Sequence, residues 1–218
     1  NNLPLIHYVA SKNKPIILST GMNNMTSISK TVQIIKSHNT PLILLHCTSM
    51  YPTPYDKVRL GAINDLQNNF PDLPVGFSDH SLGIAASLGS IALGSCIIEK
   101  HFTISRSWPG PDTGISIEPN ELKSLIEHSK QIWESRGGSK NILEEEKPVI
   151  DFAYASVVSI KSIKKGEKFS LDNIWVKRPG NGELLSDKFD KILGTTAQQD
   201  ISSNSQISLK DIDHNIKF

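Results

Sequence analysis

Two histidines with acidic and hydroxyl neighbours are the residues of this sequence best suited to metal or catalytic chemistry. His80 ends the run VGFSDH, and His101 ends the run CIIEKH. Residues two apart share one face of a strand, so Ser78 lies with His80 and Glu99 lies with His101. If the two strands are neighbours, both imidazoles meet at the carboxyl ends of parallel strands, where α/β folds build their sites. Either histidine alone reads as an ordinary surface or core residue, but the matched pair favours a metal or catalytic site.

The segments that must position these histidines read as repeated strand–helix units. Four apolar runs lack polar alternation, as buried parallel strands do, and each is followed by a helical pattern. The predicted strands are 16–19, 42–48, 75–79 and 96–100. The predicted helices include one with Ile28, Val32 and Ile35 on one face, capped by Asn24 or Thr26, and others at 60–69, 82–93 and 121–136. Four such units correspond to half of a (β/α)8 barrel.

The composition of the chain changes after Gly138. A charged connector is followed by short β-like pieces, SVVSI, IWVKR and QISLKDI, separated by polar and glycine-containing runs. We therefore predict a barrel portion over residues 1–143, a linker over 144–152 and a small β-rich domain over 153–218.

Composition limits the function classes. The chain has 218 residues, a formal net charge of +1 and 38% hydrophobic residues, which allows one large or two modest domains and favours neither a nucleic-acid nor a membrane partner. Its apolar runs are of strand length and no signal-peptide pattern opens it, so a cytoplasmic protein is expected. Cys47 and Cys96 lie in apolar runs and are predicted to be buried, reduced thiols. The first residue is asparagine, and the chain is expected to begin partway through a fold.

Polar groups cluster at all the predicted strand ends. Hydroxyls and backbone amides beside a cation site suit a phosphate or carboxylate, and two neutral imidazoles suit a divalent transition metal. Asp112 ends the rigid turn Pro109-Gly110-Pro111. Its carboxylate could accept hydrogen bonds from a sugar, and a plain turn aspartate is an equally good reading.

At this point the sequence resembles the sialic acid synthases, which condense phosphoenolpyruvate with an N-acetylated aminosugar. The matching segments follow the family's order and cover nearly the whole chain. They are ILSTGM (17–22), LLHCTSMYPTP (44–54), GFSDHS (76–81), IIEKHFT (97–103), GPDTGISIEP (110–119) and VKRPGNG (176–182). The resemblance implies an α/β fold made of strands 5–8 of a TIM barrel, followed by the small β-rich antifreeze-like (SAF) domain that ends these enzymes.

The resemblance also implies roles for particular residues. His80 and His101 match the two protein ligands of a manganese or magnesium ion. The positions that match the phosphoenolpyruvate pocket are Ser19, Tyr51, Ser78 and Ser49, where many members have asparagine. Asp112 matches the carboxylate that holds the aminosugar, and Arg178 matches an arginine delivered by the partner subunit of a domain-swapped homodimer. Glu99 shares a strand face with His101 and is predicted to orient it.

The resemblance leaves several functions open. The glutamate and lysines of the family's first four strands are absent, so the chain looks like the carboxyl-terminal portion of a synthase, whose activity alone is in question. A synthase of legionaminic or pseudaminic acid is an alternative, since these differ in the substituents of the aminosugar. A non-catalytic remnant whose SAF domain binds carbohydrate or a partner is another. A metal-dependent barrel hydrolase would need more histidines and a bridging carboxylate than the sequence offers.

Overall fold

The computed structural model describes residues 1–213, and its first unit is built on a curled half-barrel sheet of four parallel strands in the order β1-β2-β3-β4. The strands are β1 (Ile16–Ser19), β2 (Leu42–His46), β3 (Val75–Asp79) and β4 (Ile98–Lys100). The predicted α/β fold with a portion of a TIM barrel is confirmed. Ser78 pairs in register with Glu99 and Asp79 with Lys100, so the residues that follow, His80 and His101, leave neighbouring strands at the same level.

Helices connect the strands and cover one face of the sheet. In chain order they are α1 (Leu3–Ala10), α2 (Met25–Ser37), α3 (Tyr55–Val58), α4 (Gly61–Asn69), α5 (Ala85–Ala92) and α6 (Pro119–Ser135). In α2 the predicted face, Ile28, Val32 and Ile35, is buried, and Asn24 caps the helix by accepting from the Ser27 amide at 3.0 Å. These side chains join Leu44 and Phe77 from the sheet in one core cluster, as amphipathic spacing requires.

Three local expectations need correction. Strands β2 and β4 are shorter than predicted, since the chain leaves the sheet at Cys47 and joins it only at Ile98. The short helix α3 was not expected after the proline-rich segment that ends at Pro54. Cys96, predicted to be a buried thiol, is exposed because it precedes β4, whereas Cys47 is buried as predicted.

The second unit begins after Gly138, where the contacts divide the chain into two compact units. The segment predicted as a linker contains a 3-10 turn (Glu144–Glu146) and helix α7 (Lys147–Ala153). The antiparallel strands β5 (Ser156–Ser159) and β6 (Ile174–Lys177) match the first two β-like pieces. The third piece is not a strand, because Gln206 makes only an isolated bridge with Val158 and Leu209–Asp211 is a 3-10 turn.

The second unit has its own core and one further helix, α8 (Phe189–Ile192). Its fully buried side chains come from strands and from irregular segments alike, among them Val157, Phe169, Ile174, Leu184 and Ile207. The unit can therefore pack independently of the barrel portion. The predicted domain 153–218 also includes residues 214–218, which lie outside the described residues.

A glycine in β3 yields the first testable prediction. A Cβ atom at Gly76 would lie 2.6 Å from both the Ile97 carbonyl oxygen and Leu45 Cδ2. The backbone oxygen cannot move aside, so Gly76→Ala should lower the free energy of unfolding by about 1–3 kcal/mol through overpacking. Urea unfolding followed by circular dichroism measures the change. Gly61→Ala in α4 is the control, since nothing lies within 4 Å of the added atom. Equal stability of both variants would contradict this account of the sheet.

Candidate active site

The two histidines of the sequence prediction face each other at the carboxyl edge of the sheet. The ring centroids of His80 and His101 are 5.5 Å apart, with an interplanar angle of 65°. His80 is buried, while the His101 side chain is 30% exposed. Beyond β4, Ile117 donates its amide to the His101 carbonyl at 2.8 Å, which fixes the backbone that carries the second ring. Both imidazoles are thus held at one edge by strand register and by the returning loop.

A backbone carbonyl sets the tautomer of His80. His80 Nδ1 lies 2.8 Å from the carbonyl oxygen of Thr48, which can only accept, so Nδ1 carries the proton. In the neutral form of the ring, the lone pair is therefore on Nε2. The nearby Ser78 hydroxyl, 3.4 Å from Nε2, donates its proton to Glu99 Oε1 at 2.6 Å instead. His80 Nε2 is consequently left with a lone pair that the Ser78 hydroxyl does not satisfy.

The loop after β2 carries an aromatic ring over this pair. Tyr51 lies against His80 with ring centroids 4.3 Å apart and meets His101 edge-on at 5.8 Å. Thr53 anchors the loop: its amide donates to the His80 carbonyl at 2.9 Å, and its hydroxyl donates to the Met50 carbonyl at 2.8 Å. The Tyr51 side chain is 55% exposed, so it forms one wall of an open site.

Asp112 lies on the outer side of His101. Its Oδ2 is 3.8 Å from His101 Nδ1, beyond hydrogen-bond distance, and its side chain is 53% exposed. Ser116 Oγ donates to the Asp112 backbone carbonyl at 2.8 Å, which holds the turn. The carboxylate is therefore near the histidines yet free to accept donors from a ligand.

Two further predicted residues lie at the ends of the other two strands, Ser49 after β2 and Ser19 at the end of β1. Ser49 and the Cys47 thiol both lie against Gly21 at the ends of β1 and β2. Burial raises the pKa of Cys47, and the charge of Glu99 raises it further, so this thiol is a poor nucleophile. Ser19 is exposed at the end of β1, with β2 between it and the histidine-bearing strands.

Arg178 belongs to the second unit. It follows β6 and is exposed. The loop around it is tied down, since Ser156 Oγ donates to the Pro179 carbonyl at 2.8 Å and the Gly180 amide donates to the Asp151 carbonyl at 3.0 Å. Tyr154 lies so close to Gly180 that a side chain at that position has no room. The arginine is thus carried on a well-packed support.

The histidine pair fits a divalent cation with open coordination positions. Among residues 1–213, no group of three or more histidine, cysteine or carboxylate side chains is arranged to hold a metal. Two imidazoles remain, His80 with its Nε2 as the available ring nitrogen, and imidazole nitrogen suits divalent transition metals. Two protein ligands leave the other positions for water or substrate, as catalytic sites require.

The sequence analysis did not identify the residues whose hydrogen bonds fix the position of His80. The Thr48 carbonyl and the Thr53 amide act through the backbone, so side-chain type carries no signal for them. Asp79, which the sequence places beside the histidines, instead faces the opposite side of the sheet and pairs with Lys100 at 3.2 Å. Burial lowers the pKa of Lys100, and the charge of Asp79 partly offsets this. Strand parity alone could have identified that pair.

Both units of the chain match models of known protein families. The model of the NeuB family matches residues 1–141, and that of the SAF domain matches residues 154–213. The chain belongs to the NeuB family. The predicted membership and the predicted SAF domain are both confirmed. Between residues 1 and 213, this NeuB-family chain has no helix that is both long and apolar enough to span a bilayer.

The relatives of this NeuB-family chain include named synthases. It is 40% identical over 210 residues to N,N'-diacetyllegionaminic acid synthase of Campylobacter jejuni, covering 94% of this chain and 62% of that protein. It is 35% identical to human N-acetylneuraminate-9-phosphate synthase, covering 81% and 50%. The crystal structure of spore coat polysaccharide biosynthesis protein SpsE from Bacillus subtilis matches with a TM-score of 0.60 and 32% identity, covering 98% and 65%. The chain thus spans between half and two thirds of the length of these proteins.

Proposed function

We propose that this chain supplies the carboxyl-terminal part of the barrel and the SAF domain of a nonulosonic acid synthase. The reaction condenses phosphoenolpyruvate with an N-acetylated aminosugar, such as N-acetylmannosamine, and yields a nonulosonic acid and phosphate. The observation that supports it best is the convergence of His80, His101, Tyr51 and Asp112 at one edge of a family-matched half-barrel. A cytoplasmic setting suits a reaction that consumes phosphoenolpyruvate.

In this proposal His80 and His101 hold one manganese or magnesium ion. When bound, the ion acts as a Lewis acid that polarises the carbonyl oxygen of the aminosugar. The histidines position the cation and do not act as bases, because a ligating nitrogen has no lone pair left for a proton. The hydrogen bond from His80 Nδ1 to the Thr48 carbonyl leaves Nε2 as the nitrogen available to a ligand and fixes the ring.

The remaining residues bind and orient the substrates. The C2–C3 π electrons of phosphoenolpyruvate form the new bond from C3 to the aldehyde carbon, and the carbonyl oxygen takes up a proton. Water adds at C2 and gives up a proton, and the C2–oxygen bond to phosphate then breaks as the C2 carbonyl forms and the hydroxyl proton leaves with the phosphate. Ser78 and Tyr51 border the phosphoenolpyruvate site, with Ser19 and Ser49 further along the sheet. Because Ser78 donates to Glu99, an anionic substrate oxygen can receive that proton only if the hydroxyl turns away from the carboxylate. Glu99 thus competes with the substrate for the hydrogen bond that Ser78 donates, and its carboxylate is closer to the Ser78 hydroxyl than His80 is.

The aminosugar lies on the Asp112 side. An exposed carboxylate beside His101 can accept hydrogen bonds from sugar hydroxyls or an acylamino N–H. In a homodimer, Arg178 of the partner subunit donates hydrogen bonds to the hydroxyls or acyl group of the same aminosugar. Legionaminic acid synthesis is the alternative within this class, since the Campylobacter relative carries that name, and pseudaminic acid synthesis is a third possibility.

The experiment uses a chimera in which this chain replaces the aligned region of the Campylobacter jejuni synthase. Phosphate release from phosphoenolpyruvate is measured with Mn²⁺ and each candidate N-acetylated aminosugar. We expect activity that falls at least about 100-fold on His101→Ala, since the positioned cation is lost. Lys123→Ala, in an exposed ion pair of α6, is the control. A folded chimera that is inactive, or one that is unaffected by His101→Ala, would contradict the proposal and favour the hypothesis of a non-catalytic remnant.

A further inference from the structure

A buried ion pair lies behind the two histidines, on the opposite face of the sheet. Asp79 immediately precedes His80, Lys100 immediately precedes His101, and the two charged residues are register partners across β3 and β4. Lys100 Nζ is 3.2 Å from Asp79 Oδ2, and the two side chains are 3% and 0% exposed. Because a single peptide bond joins each charged residue to a histidine, a movement of this pair also moves the backbone that carries both imidazoles.

Hydrogen bonds extend the pair to the backbone that follows His80. Asp79 Oδ1 accepts from the amide and the hydroxyl of Ser81 at 2.8 and 2.6 Å, and Oδ2 accepts from Ser87 Oγ at 2.6 Å. Lys100 donates to the Ser81 carbonyl. Ser81 is thus held at its amide, its side chain and its carbonyl by charges from two different strands.

The other side of His80 is also fixed. Thr53 donates its amide to the His80 carbonyl, and the Thr48 carbonyl accepts from the imidazole. A change at Ser81 therefore cannot be absorbed by rotation of a free loop, and it must shift the ring. A fully buried ion pair adds little net stability compared with apolar residues of the same volume, so stability alone does not account for it.

We propose that Asp79 and Lys100 are positioning residues that set the separation of His80 and His101, and thereby the affinity of the site for a divalent cation. This inference rests on the proposed function, because it requires a cation between the histidines. Groups that orient metal ligands from behind typically change metal affinity by about 10- to 100-fold when they are removed.

The test measures Co²⁺ binding to the chimera by calorimetry and by visible absorption, since the isolated chain has unpaired sheet edges that invite self-association. Lys100→Met is expected to weaken Co²⁺ binding by about 10- to 100-fold. Lys36→Met is the matched control, since Lys36 also pairs with a carboxylate, Asp72 at 2.6 Å, but both side chains are exposed. It should bind Co²⁺ as tightly as the parent chimera.

A second variant guards against misfolding. Asp79→Asn/Lys100→Met removes both charges, so no unpaired charge stays buried, and it keeps an acceptor for Ser81. It should fold and still bind Co²⁺ more weakly. In the metal-free form of this variant, the ring nitrogen NMR signals of His80 should indicate a mixture of tautomers, whereas the metal-free parent should show the single Nδ1–H tautomer.

The outcomes separate the two ideas. If both variants are folded and bind Co²⁺ like the parent, the pair is only structural and the proposal is overturned, even if the melting temperature falls. If the parent binds Co²⁺ no better than His101→Ala does, the metal site of the proposed function fails, and the positioning role fails with it.

Discussion

The isolated chain is expected to release phosphate from phosphoenolpyruvate at least about 1,000-fold more slowly than the chimera, even with saturating Mn²⁺ and aminosugar. Its candidate site is open. Tyr51 is 55% exposed and the Asp112 side chain 53%, and the face of β1 that carries Ile17 is uncovered, with that side chain 54% exposed. Water that is not excluded weakens every charge interaction with the substrates.

The same measurement requires a check on the state of the protein. The sheet of the described residues ends at β1 and β4, whose outer edges are unpaired and invite self-association. Light scattering after size exclusion should therefore show oligomers or aggregates of the isolated chain. Monomeric protein that turns over within about tenfold of the chimera would mean that the four-stranded half carries the catalytic groups by itself.

The positions of the histidines could be predicted because they depend on two simple periodicities. Side chains alternate along β3 and β4, and parallel register brings equivalent strand ends together, so Ser78 with His80 and Glu99 with His101 follow from spacing alone. The helix face of α2 was predictable for the same reason, since its buried residues recur at helical spacing. Regular elements transmit sequence pattern directly into geometry.

The supports of the site could not be predicted, because they involve backbone atoms and irregular loops. The carbonyl of Thr48 fixes the His80 tautomer, and any residue type offers a carbonyl. Glu99 was expected to orient His101, yet the partner that its carboxylate accepts from is Ser78, on the neighbouring strand. That role of Glu99 stays a prediction. The third β-like piece failed for a related reason, since Ile207 and Ile212 pack into the core while Leu209 is exposed, and Gln206 makes only an isolated bridge.

Subunit complementation gives the second large expected effect, and it tests the role of Arg178. Chimeras that carry Arg178→Ala or His101→Ala alone should each be inactive, because under the proposed function one loses the arginine that contacts the aminosugar and the other loses a metal ligand. After subunit exchange, about half of the dimers are mixed, and each mixed dimer has one site with both residues intact if the arginine acts across the interface. Recovery of about a quarter of the parent activity is expected.

The design has an internal control in the loop that carries the arginine. Gly180→Ala should behave like Arg178→Ala in the mixing experiment. A side chain at position 180 collides with Tyr154 and displaces the loop that carries Arg178, although the arginine itself is kept. Lys177→Ala, on the neighbouring residue, removes a charge that contacts Asn204 at 2.7 Å and should keep full activity. Fluorescence energy transfer between labelled subunits establishes exchange. If exchange is complete and activity does not return, Arg178 serves the barrel of its own subunit. An Arg178→Ala chimera that stays active by itself would mean that Arg178 serves no site.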